Sequence, residues 1–271
     1  MLGLGGNISR RRRSLGGAAA FTPSGYSLAF DGTDDWVSFG DTNHFDGTPD
    51  ISIQMWLKFD DATGFSYPAM KIHDQSGNTK GLRIRFLNND KIGFLLKGGY
   101  EDDPAVDTTV FTRTSTAALT SNEGSWVHVV FTGARNNPTN DTQSQTKIYI
   151  NGSLDGTSNS SSDDTITTNN NGELVLGGYR TGAAVAGEFT GRMSEFAIWN
   201  TVLDADAVAA LYNSGNALNA AVDSGDYDNS GNLTGYWRLD ESTGTTVTDI
   251  TSGGQNGTIN NATWVQDAPW P

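Results

Sequence analysis

The side chains best able to hold a ligand are basic and clustered. Lys80, Arg83, Arg85, Lys91 and Lys97 fall within one hairpin-sized stretch, with Asp90 the one acid among them. Arg83 and Arg85, two residues apart, share a face of an extended strand. A guanidinium fork matches the oxygens of a carboxylate or a sulfate, so this face suits an acidic glycan. Tyr67, Tyr100 and Tyr179 fall in or beside expected loops, where their rings can stack on sugars. The same cations can instead pair with Glu101, Asp102 and Asp103 of the same or a neighbouring copy.

Catalytic chemistry finds less support. There is no Cys, which removes thiol catalysis, disulfides and Cys-based zinc. The six Glu (101, 123, 173, 188, 195 and 241) are isolated, and no Gly-x-Ser-x-Gly turn is present. His128 alternates with Val127 and Val129, which places it opposite an apolar row in a structural position, while His44 and His73 sit near loops. Asp226-Tyr227-Asp228-Asn229-Ser230-Gly231 imitates a calcium loop, but its twelfth position is Trp237 rather than a bidentate Glu, so it reads as a polar loop. The expectation is a protein that is not an enzyme.

Charge divides the chain in two. The net charge of −14 is the sum of a +4 arm, residues 1–24, and a −18 body. So acidic a body is a poor coat for nucleic acid. No apolar run reaches the roughly 20 residues that a membrane helix needs. The arm carries Arg10, Arg11, Arg12 and Arg13. Its apolar stretch is short and broken by glycine, a poor match to an export signal. A solubilising tail is one reading; an arm that docks on an acidic partner or on sister copies is the favoured one.

These residues must be held by strands. Ile51, Ile53, Met55 and Leu57 alternate with polar or aromatic neighbours, as do Leu82, Ile84 and Phe86. Asn88-Asn89-Asp90 turns the latter strand into Lys91–Leu96. Lys147–Ile150 runs into Asn151-Gly152, a strong hairpin signal. Phe189–Trp199 reads as a long strand. Asn136–Thr146 and Ser158–Gly172 read as polar loops. One helix is expected, with Asp204 as N-cap, Val208, Leu211 and Tyr212 on one face and Gly215 as its stop. Many short strands with frequent turns predict an all-β, two-sheet antiparallel sandwich or jelly roll with one short helix. After Leu233 too few residues remain to fold alone. Residues 25–271 are therefore expected to form one domain that includes a C-terminal strand segment, 235–271.

Several segments resemble the laminin-G-like, concanavalin-A-like jelly rolls in order. They are Tyr26–Val37, Ile51–Leu57, Trp126–Thr132, Lys147–Gly152 and Gly191–Asn200. The resemblance implies a lectin- or glucanase-type fold. The paired Glu-x-Asp-x-x-Glu carboxylates of such glucanases are missing. It also implies a Ca²⁺ site near Phe30-Asp31-Gly32, with Asp31, Asp34 and Asp35 as ligands and Glu195 standing in where Ser194 replaces the relatives' Asp. The alternative is a plain Asx-type turn. Gly235–Ile259 is similar to a segment that usually opens such domains, which implies a circular permutation with Trp237 and Leu239 beside the Tyr26–Phe30 strand. The whole arrangement is similar to structural proteins of marine tailed phages. That implies a homo-oligomeric virion surface protein, with the arm bound to other virion proteins and the jelly roll free to touch glycans. An extracellular bacterial lectin or glycosidase accessory domain is the alternative.

Overall fold

A computed structural model describes residues 24–42, 44, 50–72, 81–98, 108–134, 144–160, 172–181 and 184–270. The Arg10–Arg13 arm, His73, Lys80, Tyr100 and Glu101–Asp103 lie outside the described residues.

Two eight-stranded antiparallel sheets pack face to face. Sheet A runs β10 (Ser153–Ser160), β9 (Ser144–Ile150), β8 (Val127–Ala134), β3 (Asp50–Phe59), β14 (Thr190–Trp199), β1 (Ser27–Asp31) and β18 (Thr263–Val265), and β15 (Leu233–Trp237) also pairs with β14. Sheet B runs β16 (Thr246–Val247), β17 (Gly257–Asn260), β2 (Trp36–Asp41), β11 (Glu173–Leu176), β4 (Ser66–Ile72), β5 (Gly81–Leu87), β6 (Lys91–Gly98) and β7 (Thr108–Thr114). A small hairpin of β12 (Tyr179–Thr181) and β13 (Ala184–Ala186) stands apart. The expected concanavalin-A-like sandwich is the observed one.

Alternation builds the core. Ile51, Ile53, Met55, Leu57 and Phe59 of β3 point between the sheets, with Val127, Val129 and Phe131 of β8 beside them. Leu82, Ile84 and Phe86 of β5 face them from sheet B. Phe94 and Phe131 stack across the gap at 4.9 Å. The opposite residues of β3, namely Ser52, Gln54 and Trp56, are also buried. A second apolar layer covers them: α1 (Ala205–Tyr212) lays Val208 and Leu211 near Val130, Tyr149, Ala197 and Trp199. Asp204 caps α1 by accepting from the Ala207 N–H at 2.8 Å. Its stop comes earlier than Gly215, at Asn213 and Ser214, both left-handed.

Polar composition hid two strand ends. β9 begins at Ser144 and β10 continues to Ser160, both within segments that read as loops. β10 lies at the sheet edge, where apolar residues need not recur at every second position, while in β9 the buried positions are filled by the small polar Ser144 and Thr146. Asn151 and Gly152, both at positive φ, make the expected two-residue turn between them.

The C-terminal segment completes both sheets, in a register that the sequence did not predict. Trp237 pairs with Phe196 of β14, not with β1. β1 covers Thr190–Met193 of β14, and β15 covers Phe196–Trp199. The two therefore lie end to end along one strand, and β18 occupies the place beside β1. Leu239 lies beyond β15 at φ 57°. Where the two partners meet, β14 bulges at Glu195, φ 56°, whose N–H donates to the Arg238 carbonyl at 3.1 Å.

The chain end is then clasped to sheet A. Asp267 pairs with Lys58 Nζ at 2.7 Å and with Arg192, and accepts from Trp126 Nε1 at 3.0 Å. Its carbonyl accepts from Ser27 Oγ. All three side chains of the ion pairs are partly wet, which screens each pair. Asp267→Ala is expected to cost about 0.5–2 kcal/mol, through the half-buried Trp126 N–H left without its acceptor and the two released cations. Urea unfolding measures this; an unchanged midpoint would show the clasp to be dispensable.

Candidate functional site

One end of the sandwich gathers most of the ligand-capable groups. The register brings the start of β2, the end of β11, the start of β4, the end of β5 and the start of β6 to the same end of sheet B. β2 and β6 are four strand spacings apart, about 19 Å.

At the β1–β2 turn, Asp31, Asp34 and Asp35 bring carboxylate oxygens within 4.8 Å of one another. The turn is built by its own side chains. Asp31 Oδ1 accepts from the Thr33 N–H at 2.8 Å, and Asp35 Oδ2 from the Asp31 N–H at 2.7 Å. Gly32, at φ 79°, packs against Thr190 so closely that a Cβ there would strike its hydroxyl. The Asx turn expected from the sequence and the three-acid group are thus the same object. A cleft of about 240 Å³ opens here, lined also by Phe30, Asn261 and Thr263. Burial raises the Asp35 carboxyl, and the charges of Asp31 and Asp34 add to that rise against one backbone hydrogen bond. Three oxygen donors around a cleft suit a hard cation such as Ca²⁺, which would also relieve this crowding.

Glu195 does not join them. It is fully buried under sheet A's outer layer, where Tyr236 donates to Oε2 and Arg238 Nε lies 3.8 Å from Oε1. Burial raises its carboxyl well above the usual range. Strand periodicity places Glu195 on one face; the bulge that re-aims it is not readable from composition.

Further along the same end, Tyr67 and Tyr179 meet edge to face at 5.1 Å. They close around Gly187, φ 62°, whose carbonyl accepts from the Tyr67 N–H at 2.9 Å. The Arg85 guanidinium lies 6.0 Å from the exposed Phe65 ring, and Arg180 lies 5.0 Å from the Trp36 ring. Lys91 stands opposite Leu87 at the β5–β6 turn, and Arg83 is half-buried two residues further into the sheet than Arg85. The sequence reading missed Phe65, Trp36, Arg180, Asn261 and Thr263. Only chain crossing brings residues 261–263 to the β1–β2 turn, through the β18 pairing.

His128 is structural, as its alternation predicted. It is fully buried, with Nε2 3.0 Å from Gln54 Oε1, and Trp56 and Tyr212 pack on its ring. Burial lowers its pKa from 6.5 to about 3. Tyr227, inside the calcium-like run, is buried and bonds the Ala220 carbonyl at 2.6 Å, which makes that run a structural loop.

The family model described as "Concanavalin A-like lectin/glucanases superfamily" (Laminin_G_3) matches residues 31–209, and the chain belongs to this superfamily. No curated protein matches the sequence. Among solved structures, a candidate carbohydrate-binding protein from Bacteroides ovatus is 19% identical, with a TM-score of 0.60 over 91% of this chain and 61% of its own. This chain therefore spans less than two-thirds of that relative. A heptameric SAP-like pentraxin from Limulus polyphemus is 14% identical, TM-score 0.50, covering 69% of this chain and 81% of its own. The CBM40 of a Ruminococcus gnavus sialidase, bound to sialyllactose, is 16% identical, TM-score 0.48, covering 70% of this chain and all of its own. At these identities the likeness is one of fold.

The neutral state of His128 has a measurable sign. Between its folded pKa of about 3 and the ordinary 6.5, the unfolded chain binds a proton that the fold refuses. Its contribution is present above 6.5 and is lost as pH falls. From pH 7 to pH 5 the protein should lose about 2 kcal/mol relative to His128→Asn, read from urea unfolding at the two values. Glu195, with its raised pKa, has the opposite slope: its contribution is complete below 4.5 and is lost as pH rises. Equal pH profiles for protein and variant would contradict the burial of a neutral imidazole.

Proposed function

We propose that this protein is a non-catalytic carbohydrate-binding module whose binding surface is the β2–β6 end of the sandwich. The single observation that carries it is the convergence, at one end, of the Asp31–Asp34–Asp35 cleft, the Tyr67–Tyr179 pair and the cations Arg85 and Lys91. Aromatic rings take the apolar faces of sugars. Arg85 and Lys91 take carboxylate or sulfate groups, so the preferred ligand is an acidic glycan. Ca²⁺ held by Asp31, Asp34 and Asp35 would fix the cleft and offer a coordination site to sugar hydroxyls. The superfamily membership supports the class, and the sialyllactose-bound CBM40 is an acidic-sugar example on the same kind of fold only.

A glycan array run with and without EDTA tests both halves. Binding should favour acidic glycans and weaken on chelation. Tyr179→Ala should lower affinity about tenfold, the usual weight of a central aromatic contact. Binding to no glycan, with or without Ca²⁺, would leave an architectural protein.

The setting we propose for this module is the outer surface of a virion. The supporting observation is charge: a +4 arm on a −18 body is suited to anchoring on an acidic particle while the sandwich stays exposed. Several arms presented by a homo-oligomer would gain affinity together. N-terminal sequencing of protein from assembled particles should read through the Arg10–Arg13 run. A mature chain beginning after residue 20 would favour the secreted bacterial lectin instead.

A further inference from the structure

Trp56 and His128 face each other across β3 and β8 on the outer surface of sheet A. Their ring centroids are 4.9 Å apart and their planes differ by 32°, which makes a shallow aromatic shelf. Tyr212, the last residue of α1, covers it. Its ring lies 5.7 Å from that of Trp56 and 5.9 Å from that of His128, within 18° of both planes. The shelf residues are 1% and 0% exposed, whereas Tyr212 is only half-buried.

The hydrogen bonding of the shelf is incomplete. Trp56 Nε1 and His128 Nδ1 are both sealed from solvent, and neither has a partner among the described residues. Gln54 sets the imidazole tautomer. Its Nε2 donates to the Glu195 carbonyl at 3.5 Å, so its Oε1 accepts from His128 Nε2 at 3.0 Å. His128 Nδ1 is then a bare lone pair. One orphan donor and one orphan acceptor on a single shelf complement hydroxyl groups, which both give and take hydrogen bonds.

The cover sits on a strained joint. Asn213 (φ 45°, ψ 48°) and Ser214 (φ 57°, ψ 33°) follow Tyr212 and are both left-handed, a conformation that Asn takes readily at a helix end and Ser does not. Beneath the ring is Gly152, where a Cβ would lie 2.8 Å from Tyr212. On the Gly152 side the ring therefore meets backbone rather than an interlocking side chain.

We propose that the Trp56–His128 shelf is a subsite for a pyranose ring, closed in the free protein by the Tyr212 side chain. The apolar face of the sugar stacks on Trp56. Its hydroxyls accept from Trp56 Nε1–H and donate to His128 Nδ1, while Tyr212 swings out on the Asn213–Ser214 joint. The subsite lies on the opposite layer from the β2–β6 end and shares with it only the class of ligand.

The test uses the full chain, ¹⁵N-labelled, titrated separately with glucose, galactose and N-acetylglucosamine. The readout is the Trp56 indole N–H resonance, assigned by its loss in Trp56→Phe. At least one sugar should shift it saturably, and Tyr212→Ala should tighten that binding about tenfold by removing the closed state. Tyr212→Leu, whose smaller side chain loses the ring that lies over Trp56 and His128, should tighten it in the same direction and serves if the alanine variant does not fold. A Trp56 signal unmoved by all three sugars, in the protein and in the folded Tyr212 variants, overturns the proposal; fixed buried water at the shelf would give that result. Tyr179→Ala should lower array binding and leave the Trp56 shift intact; array binding unchanged in that variant, with the shift retained, would count against the β2–β6 surface alone.

Discussion

Much of the structure depends on how the far edge of β14 is covered. A ten-residue strand in the middle of a sheet needs a hydrogen-bonding neighbour along its whole length. No single segment supplies one. β1, from near the start of the chain, takes the first half, and β15, from near residue 235, takes the second. The join between them falls at Ser194–Glu195, and there the Arg238 carbonyl accepts from both the Glu195 N–H and the Ser194 hydroxyl. The bulge, the left-handed Glu195 and its burial beside Tyr236 follow from that join. A carboxyl in this position is a by-product of closing the sheet, which explains why it sits apart from the acidic turn.

The second consequence concerns faces. Sheet A is covered on both sides, by sheet B within and by α1, the 217–227 loop and the Asp267 clasp without. Several buried polar groups on its outer side therefore satisfy one another. Trp199 bonds Tyr227, Tyr227 bonds the Ala220 carbonyl, and the Ala220 N–H bonds Tyr236. The closed edge is managed in the same way: Asp155 of β10 accepts from the Thr116 and Ala117 N–H groups, and Ser158 donates to the Thr112 carbonyl of β7. These bonds blunt two long edge strands that would otherwise be templates for further pairing.

The sequence was most legible where alternation was strict. The cores of β3, β5 and β8, the Asn151-Gly152 hairpin and the Asp204 cap all follow from local pattern. It was least legible where two distant segments share one neighbour. Nothing local to Trp237 states that it pairs with Phe196 rather than with β1, because either register buries the same indole. The candidate site divides in the same way. Asp31, Asp34, Asp35, Tyr67 and Tyr179 stand out as residue types in turns. Asn261 reaches the acidic turn only through the β18 pairing, and its Nδ2 donates to the Asp34 carbonyl at 3.2 Å. Glu195 entered the expected calcium set only through the resemblance, as the acid next to Ser194, and the bulge of β14 turns it into the layer under Tyr236 instead.

The Ser27–Asp267 bond joins residues 240 positions apart. During synthesis, β14 has its neighbours β3 and β1 long before β15, β17 and β18 leave the ribosome. Half of its outer edge stays open in that interval, presenting Phe196 and Ile198 to the surroundings. Contacts of such separation slow folding, because a long loop must close before they can form. The last strands therefore set the timing as well as the geometry of this fold. A nascent chain lacking them leaves that strand edge unpaired, the kind of surface on which aggregation starts.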